Sequence, residues 1–507
     1  LSQQNEDTFL DLGWLVDEHL HPKYWVESKN RNPDNSHMVR IPTKKMDKHT
    51  VIIAQSGSGK SYFLGRLIEE IIIKSKSRCL ILDPNGDFRK ISEIDDDLWN
   101  NNQPLSEKYD IKTGIGKLTL ESEEDFAKTW RHSVQDFCIK TNRVPKESGD
   151  QELKIWWPSV SLEFLIQEND PRTTTEMFHC HNWAKVLFNQ FAQMSDDTNG
   201  EDIISKVKNI FKSLQDIPSE NRVKMIQKLR TTPNDKSETA STHPKLLDSL
   251  LSSGLSGLGD ITKTLTKIIN TSSESMEKAK FVFESYSWDT VNSYFGLIEQ
   301  YQSLGILAKR PYSSNHKRRL EVIDLPSINN NELRALVLNS ILTEEWENAT
   351  QKWEDAMKSP RSEDKRVPTF IILDEAHNFI PSNPRSRHET LVREQFRTIA
   401  AEGRKFGLFL ILVSQRADKL DDLVLSECSN KAIMHLDSQS MVNQVIKRLG
   451  LEYDIEPSVR TKITNFKTGR IFLAGNWAGD DSIFFCAARR TLEGGRNLDD
   501  KYWARAT

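Results

Sequence analysis

Apolar positions along this chain follow two rhythms. HTVIIA (49–54) is a short unbroken apolar run, the signature of a strand buried on both faces. After Lys60, Phe63, Leu64, Leu67, Ile68, Ile71 and Ile72 fall at the spacing of a helix with one apolar face. CLILD (79–83) is a second buried strand, ended by the turn signal Pro84-Asn85-Gly86-Asp87. Strand, loop, helix and strand in that order predict the start of a parallel α/β sheet. Strand texture returns in LEVIDL (320–325), TFIILDE (369–375), LFLILVS (408–414), KAIMHL (431–436), RIFLAG (470–475) and SIFFCAA (482–488). Helical patterns separate the earlier ones, the last of them closing on Gly450.

Between these two blocks the texture is different. From about 101 to 315, helical patterns such as NWAKVLFNQFAQM and TVNSYFGLIEQYQSLGIL are broken by polar loops, which predicts a large helical insertion. Residues 1–45 carry charged runs and prolines without clean alternation and read as an extended arm or small lead-in. The expected organisation is therefore an arm at 1–45, a first core part at 46–100, the insertion at 101–315, and a second core part with a C-terminal extension at 316–507.

A length of 507 residues with 37% apolar and 28% charged residues fits a globular protein with a sizeable core. No stretch approaches a membrane span, and LSQQNEDTF lacks the basic flank and apolar run of a leader, so a cytoplasmic location and no membrane partner are expected. With 69 Lys+Arg against 73 Asp+Glu, nothing global announces a nucleic-acid partner. Five scattered cysteines without CxxC spacing point to reduced thiols. His179-Cys180-His181 has no second pair at ligand spacing, which favours a helical segment over a metal site.

Ala54 to Ser61, AQSGSGKS, fits the phosphate-loop pattern with alanine at its first position. A loop that leaves a buried strand and enters a helix points backbone N–H groups and the positive helix end at phosphates, and glycines allow close approach. The nucleotide cradle expected here is Gln55, Ser56, Gly57, Ser58, Gly59, Lys60, Ser61 and Tyr62, with ATP and Mg2+ as cofactors. Lys60 would reach the β and γ phosphates, and Ser61 would ligate magnesium. TFIILDE supplies the second acidic strand end that such a site needs: Asp374 for the metal's water shell and Glu375 as general base for the attacking water. The plain alternative for this pair is a helix cap. Gln415, at the end of LFLILVS, is placed to sense the γ phosphate or orient water. Arg404 and Lys405 end the preceding helix, either complementing its dipole or supplying a basic finger to a neighbour's ATP.

DPNGDF (83–88), ILDEAHNFIP (372–381), AEGRKFG (401–407) and LVSQR (412–416), in this order after the P-loop, resemble the HerA branch of the HerA/FtsK DNA-pumping ATPases. The likeness covers about 49–90 and 318–488. It implies a RecA-like core, a homo-hexameric ring with ATP at subunit boundaries, and double-stranded DNA in the central channel. By the same likeness Lys60 and Ser61 are the nucleotide lysine and magnesium serine, Glu375 the catalytic glutamate, Gln415 the sensor, and Arg404 with Lys405 the trans-acting contact. The family's amino-terminal β-barrel, which docks a partner nuclease, has no barrel-like alternation to match it in residues 1–45, so a reduced or absent barrel is expected.

A ring multiplies each basic side chain by its copy number, so an acidic chain can still grip phosphates locally. Arg385 and Arg387, after the acidic strand, and Arg89 and Lys90, after the second strand, are the candidates; each loop also reads as simply solvated. The expected function is an ATP-driven hexameric DNA translocase or helicase working with a separate nuclease or effector, with antiviral defence and DNA-end processing both compatible. Two alternatives use the same core: an ATP-bound ring that scaffolds and activates an effector, and a conjugation or secretion coupling ATPase.

Overall fold

The computed structural model describes residues 8–20, 37–91, 288–303, 319–328, 330–358, 366–478 and 482–487, with shorter pieces at 127–131, 150–152, 155, 160, 177, 180–181, 184–185, 207–208, 360, 364, 489 and 491–494. The chain divides into two compact units, Leu1–Leu153 with Ser314–Thr507, and Lys154–Ser313.

In the first unit the elements follow one another as β1 (Phe9–Leu15), β2 (Met38–Pro42), β3 (Thr50–Ile53), α1 (Lys60–Lys74), β4 (Arg78–Asp83), β5 (Ala127–Arg131) and β6 (Asp150–Glu152). In the second unit α2 spans Trp288–Ser303. The first unit resumes with β7 (Leu320–Asp324), α3 (Asn331–Lys358), β8 (Thr369–Leu373), α4 (Arg387–Phe406), β9 (Leu408–Ser414), α5 (Asp422–Ser426), β10 (Asn430–Ile433), α6 (Gln439–Arg448), α7 (Pro457–Ile463), β11 (Arg470–Gly475) and β12 (Ser482–Cys486).

The twelve strands among the described residues join one sheet in the order β2-β1-β12-β11-β10-β3-β9-β8-β4-β7-β5-β6. From β10 through β6 neighbouring strands are parallel, while β11, β12, β1 and β2 add antiparallel partners at one edge. The strands read from continuous apolar runs are central ones: β3, β7, β8 and β9 are buried along their whole length. One strand, β9, separates the P-loop strand β3 from the acidic strand β8, and β4 follows β8. This is the RecA-like arrangement, within an α/β fold built on a mainly parallel sheet.

Two segments enter the sheet where the sequence pattern predicts none. The expected amino-terminal arm contributes β1 and β2, with Leu10, Leu12 and Trp14 buried at alternate positions. β5 and β6 fall inside the stretch expected to be helical, and β5 pairs in parallel with β7. Sheet edges offer unpaired backbone groups that recruit short segments whose own pattern is weak. Most of the expected helical insertion lies outside the described residues. There α2 is helical, Cys180 and His181 are buried, and His181 Nδ1 lies 3.1 Å from Tyr294 Oη. His179 lies outside the described residues.

Core packing fixes α1 against the sheet. Phe63, Leu64, Leu67 and Ile68 are all fully buried, each contributing roughly 1.5–3 kcal/mol by apolar burial. His49 ties β3 to β9, since its Nδ1 accepts the Leu410 N–H at 2.8 Å. That bond needs a neutral ring. Burial, helped by the Arg404 charge, lowers the His49 pKa from 6.5 to about 4.

Two outcomes are expected. Leu67→Ala should cost about 2–5 kcal/mol in urea unfolding, the transfer term plus the cavity left behind. The unfolded chain takes up a proton on His49 near pH 6.5 and the folded chain only near pH 4. Its contribution is therefore whole above pH 6.5 and is lost as pH falls towards 4, by about 3 kcal/mol. His49→Asn, which keeps an acceptor without an imidazole charge, should flatten that part of the pH–stability curve.

Candidate active site

The P-loop leaves β3 with Ala54 N–H bonded to Ser414 O (3.1 Å) and Gln55 N–H to His435 O (3.0 Å), so strands on both sides set its direction. Gly57 (φ 77°) and Gly59 (φ 90°) both adopt left-handed backbone, which glycine supplies without steric cost. Ser58 closes the loop internally, its hydroxyl donating to Gln55 O at 2.6 Å. From outside, Gly469 N–H donates to Ser58 O (2.9 Å) and Thr468 Oγ1 to Gly57 O (3.1 Å), clamping the loop against the turn before β11. The amides of Ser56, Gly57, Gly59, Lys60 and Ser61 donate to nothing among the described residues. A row of free N–H groups at a helix N-terminus is the donor set that a polyphosphate requires.

The acidic strand converges on this loop. Lys60 Nζ lies 2.8 Å from Asp374 Oδ1 and also donates to Glu375 Oε1. Burial alone would lower the Lys60 amine, but the two carboxylates outweigh it and hold the pKa above the ordinary lysine value. Glu375 also resists its own burial. Lys60 and the Gln415 amide, which donates to the same Oε1, keep its pKa below the usual carboxylate value. Asp374 is fully buried, and burial pushes it upward despite Lys60. Its Oδ1 accepts the Glu375 N–H at 2.9 Å, while Oδ2 has no hydrogen-bond partner among the described residues. A buried carboxylate oxygen without a donor fits a place in a cation's hydration shell. Glu375 itself stands at φ 46°, ψ 45°, left-handed backbone that costs a non-glycine residue about 1 kcal/mol or more and aims its side chain at Lys60 and Gln415.

Four further groups complete the site, and sequence reasoning assigned a role to none of them. Ser61 Oγ donates to Asp87 Oδ2 at 2.7 Å. Asp87 stands in a turn organised by the Asp83 carboxylate, which accepts the amides of Asn85, Gly86, Asp87 and Phe88 at 2.7–3.3 Å. Burial raises Asp83 from 3.8 to about 6. His377 Nδ1 lies 3.1 Å from Ser414 Oγ and 3.4 Å from Glu375 Oε2, bridging the ends of β8 and β9; burial lowers its pKa. DPNGDF and EAHN stood out as segments, but only the folded chain shows which atoms they meet. Arg489 reaches Ser61 from 428 residues away, beyond any local signal.

Thus Lys60, Asp374, Glu375 and Gln415 come together, while Ser61, next along α1, is bonded to Asp87. Tyr62, expected in the cradle, turns its hydroxyl to the Arg489 N–H at 2.9 Å. Arg404 and Lys405 are exposed at the start of β9, whereas Gln415 follows its end. At about 3.3 Å per residue that strand holds them roughly 20 Å apart, so neither serves this chain's own P-loop. Lys405 Nζ lies 4.1 Å over the Trp353 ring. Arg89 is committed to the buried Asp324 carboxylate at 2.9 Å, and Lys90 is half-buried. Arg385 and Arg387 are exposed around the Ser386 cap of α4, with the Glu389 N–H on Ser386 Oγ at 3.1 Å.

Comparison with known proteins identifies the family. A family model described as "Helicase HerA, central domain" matches residues 32–345, which includes the P-loop, α1 and β4. The DNA double-strand break repair helicase HerA of Sulfurisphaera tokodaii is 29% identical over 161 residues, 31% of this chain and 29% of that protein. Its counterpart from Sulfolobus acidocaldarius is 27% identical over 206 residues, 40% of this chain and 36% of that protein. The matched part thus spans about a third of these relatives' length. Among solved structures, VirB4 of Thermoanaerobacter pseudethanolicus gives a TM-score of 0.42 at 13% identity, covering 96% of this chain and 98% of that one. Plasmid coupling protein TrwB with a non-hydrolysable ATP analogue gives 0.40 at 12% identity, covering 96% and 95%. At such scores the strand order and the P-loop carry the fold assignment. With a model matched over more than half its length, the chain belongs to the HerA helicase central-domain family.

Proposed function

We propose that this chain is a magnesium-dependent ATP hydrolase that drives movement along double-stranded DNA as a ring, in concert with a separate nuclease or effector. The observation that supports it most is the row of free amides at the P-loop, with Lys60 held beside the Asp374 and Glu375 carboxylates. When bound, magnesium would neutralise phosphate charge. Ser61 and Asp374 would hold its coordination and hydration shell.

The chain's own groups supply the rest. Lys60 exchanges its carboxylate partners for phosphate oxygens as nucleotide enters, which releases Glu375. The freed carboxylate accepts a proton from the attacking water, and Gln415, already bonded to Glu375, orients that water and reports on the γ position. Before nucleotide enters, Lys60 and Gln415 hold Glu375 in its ionised form. Arg404 stands exposed at the opposite end of β9, a position suited to a neighbouring subunit's nucleotide. Grip on DNA is assigned to backbone phosphates through Arg385 and Arg387, because a pump must slide and base reading would hold it in place. HerA relatives named for DNA double-strand break repair favour a role at DNA ends.

Lys60→Ala should weaken ATP binding by about 100-fold in a fluorescent-nucleotide titration, the loss of a charge-assisted contact. Glu375→Gln should keep binding and cut turnover about 10²–10⁴-fold; turnover equal to wild type would remove Glu375 as the base. Arg404→Ala should bind ATP yet lose hydrolysis by about 10³-fold, and mixing with the Lys60→Ala chain should restore part of it. Duplex DNA should raise ATP hydrolysis, with an effect that falls as salt rises. Hydrolysis indifferent to duplex but raised by an added effector would replace translocation with the scaffold alternative.

A further inference from the structure

Beyond β12, Arg489 and residues 491–494 lie against the first turns of α1. Arg489 is 1% exposed. Its Nε donates to Thr491 Oγ1 (3.2 Å), its Nη2 to Leu492 O (3.0 Å) and its Nη1 to Ser61 O (3.4 Å), with Glu493 at 3.6 Å. Its guanidinium also lies 5.5 Å over the ring of Phe88, the neighbour of Asp87. Further along, Thr491 donates its amide and hydroxyl to Glu69 at 2.9 and 2.7 Å. Gly494 N–H donates to Asp87 O at 2.8 Å.

These contacts converge on one pair. Ser61 gives its hydroxyl proton to Asp87, which leaves the oxygen's lone pairs for a cation. Arg489 holds the Ser61 carbonyl from one side and packs on Phe88 from the other, while Gly494 fixes the Asp87 carbonyl. α1 is shaped to admit the guanidinium, because a Cβ at Gly65 would sit 2.5 Å from Arg489 Nε. Glycine within a helix costs about 1 kcal/mol relative to alanine. Burying a cation is itself expensive, which marks the arrangement as more than packing.

We propose that Arg489 is a positioning residue that sets the Ser61–Asp87 pair for the magnesium ion of the nucleotide. The inference rests on reading the P-loop as a magnesium–ATP site. Partners that orient a metal ligand typically change metal affinity 10–100-fold when removed.

The test is equilibrium binding of a fluorescent ATP analogue to the full chain, with and without a magnesium titration, alongside thermal unfolding without ligand. Arg489→Lys, Arg489→Ala and Gly65→Ala, which pushes the guanidinium aside, should each raise the half-saturating magnesium concentration about tenfold. Metal-free nucleotide affinity should stay within about twofold, and in a Ser61→Ala background Arg489→Lys should add nothing. Arg489→Lys and Gly65→Ala keep the test alive if Arg489→Ala fails to fold. Unchanged magnesium dependence, or an equal loss of metal-free binding, would reduce Arg489 to a structural prop and overturn the proposal. A wild-type chain that binds no nucleotide would instead remove the ATP reading, and this inference with it.

Discussion

The buried contact between Lys60 and the Asp374–Glu375 carboxylates is the constraint on which the site depends. A lysine on the first turn of α1 and two acids at the end of β8 can meet only if the sheet places β3 and β8 two strands apart with their ends level. Each partner alone would be costly at this depth, because an unpaired buried charge loses several kcal/mol of hydration. Together they tie the P-loop to the acidic strand, and Gln415 on the intervening β9 joins the same oxygen. Three neighbouring strands thus deliver one side chain each, or a pair, to a single point.

The surrounding structure keeps that point from drifting. Left-handed backbone at Glu375 turns the chain sharply after β8, and the left-handed glycines at 57 and 59 leave amides open along the loop. The turn before β11 clamps the loop from one side, while Arg489 and residues 491–494 lie against α1 on another. Strength comes from packing and orientation from polar contacts. The apolar face of α1 fixes the helix against the sheet, and hydrogen bonds then select how its first turn points.

Much of this was readable in the sequence because its signals are local. Apolar runs gave β3, β4 and β7 to β9, and AQSGSGKS carried its own glycine spacing. The acids of TFIILDE fell at the end of a run whose burial the pattern already required. The contacts that escaped are those in which distant segments meet. Nothing near DPNGDF states that Asp87 takes the Ser61 hydroxyl, and nothing near Arg489 points to Gly65. β1 and β2 were unreadable for another reason: their alternation is short, and the edge of an existing sheet supplies the pairing that their own composition does not. Arg89 shows the converse, a residue conspicuous in a basic loop whose charge is absorbed by a buried aspartate.

β9 has a mechanical consequence. Its seven residues are buried throughout, with β8 paired along Leu408–Leu412 and β3 along Ile411–Ser414. Gln415, bonded to Glu375, follows one end, and the exposed Arg404 lies just before the other. In the proposed motor, a displacement at the glutamine would be passed along these pairings towards the arginine. In the ring proposed above, this strand would let the occupancy of one pocket set the timing of the next.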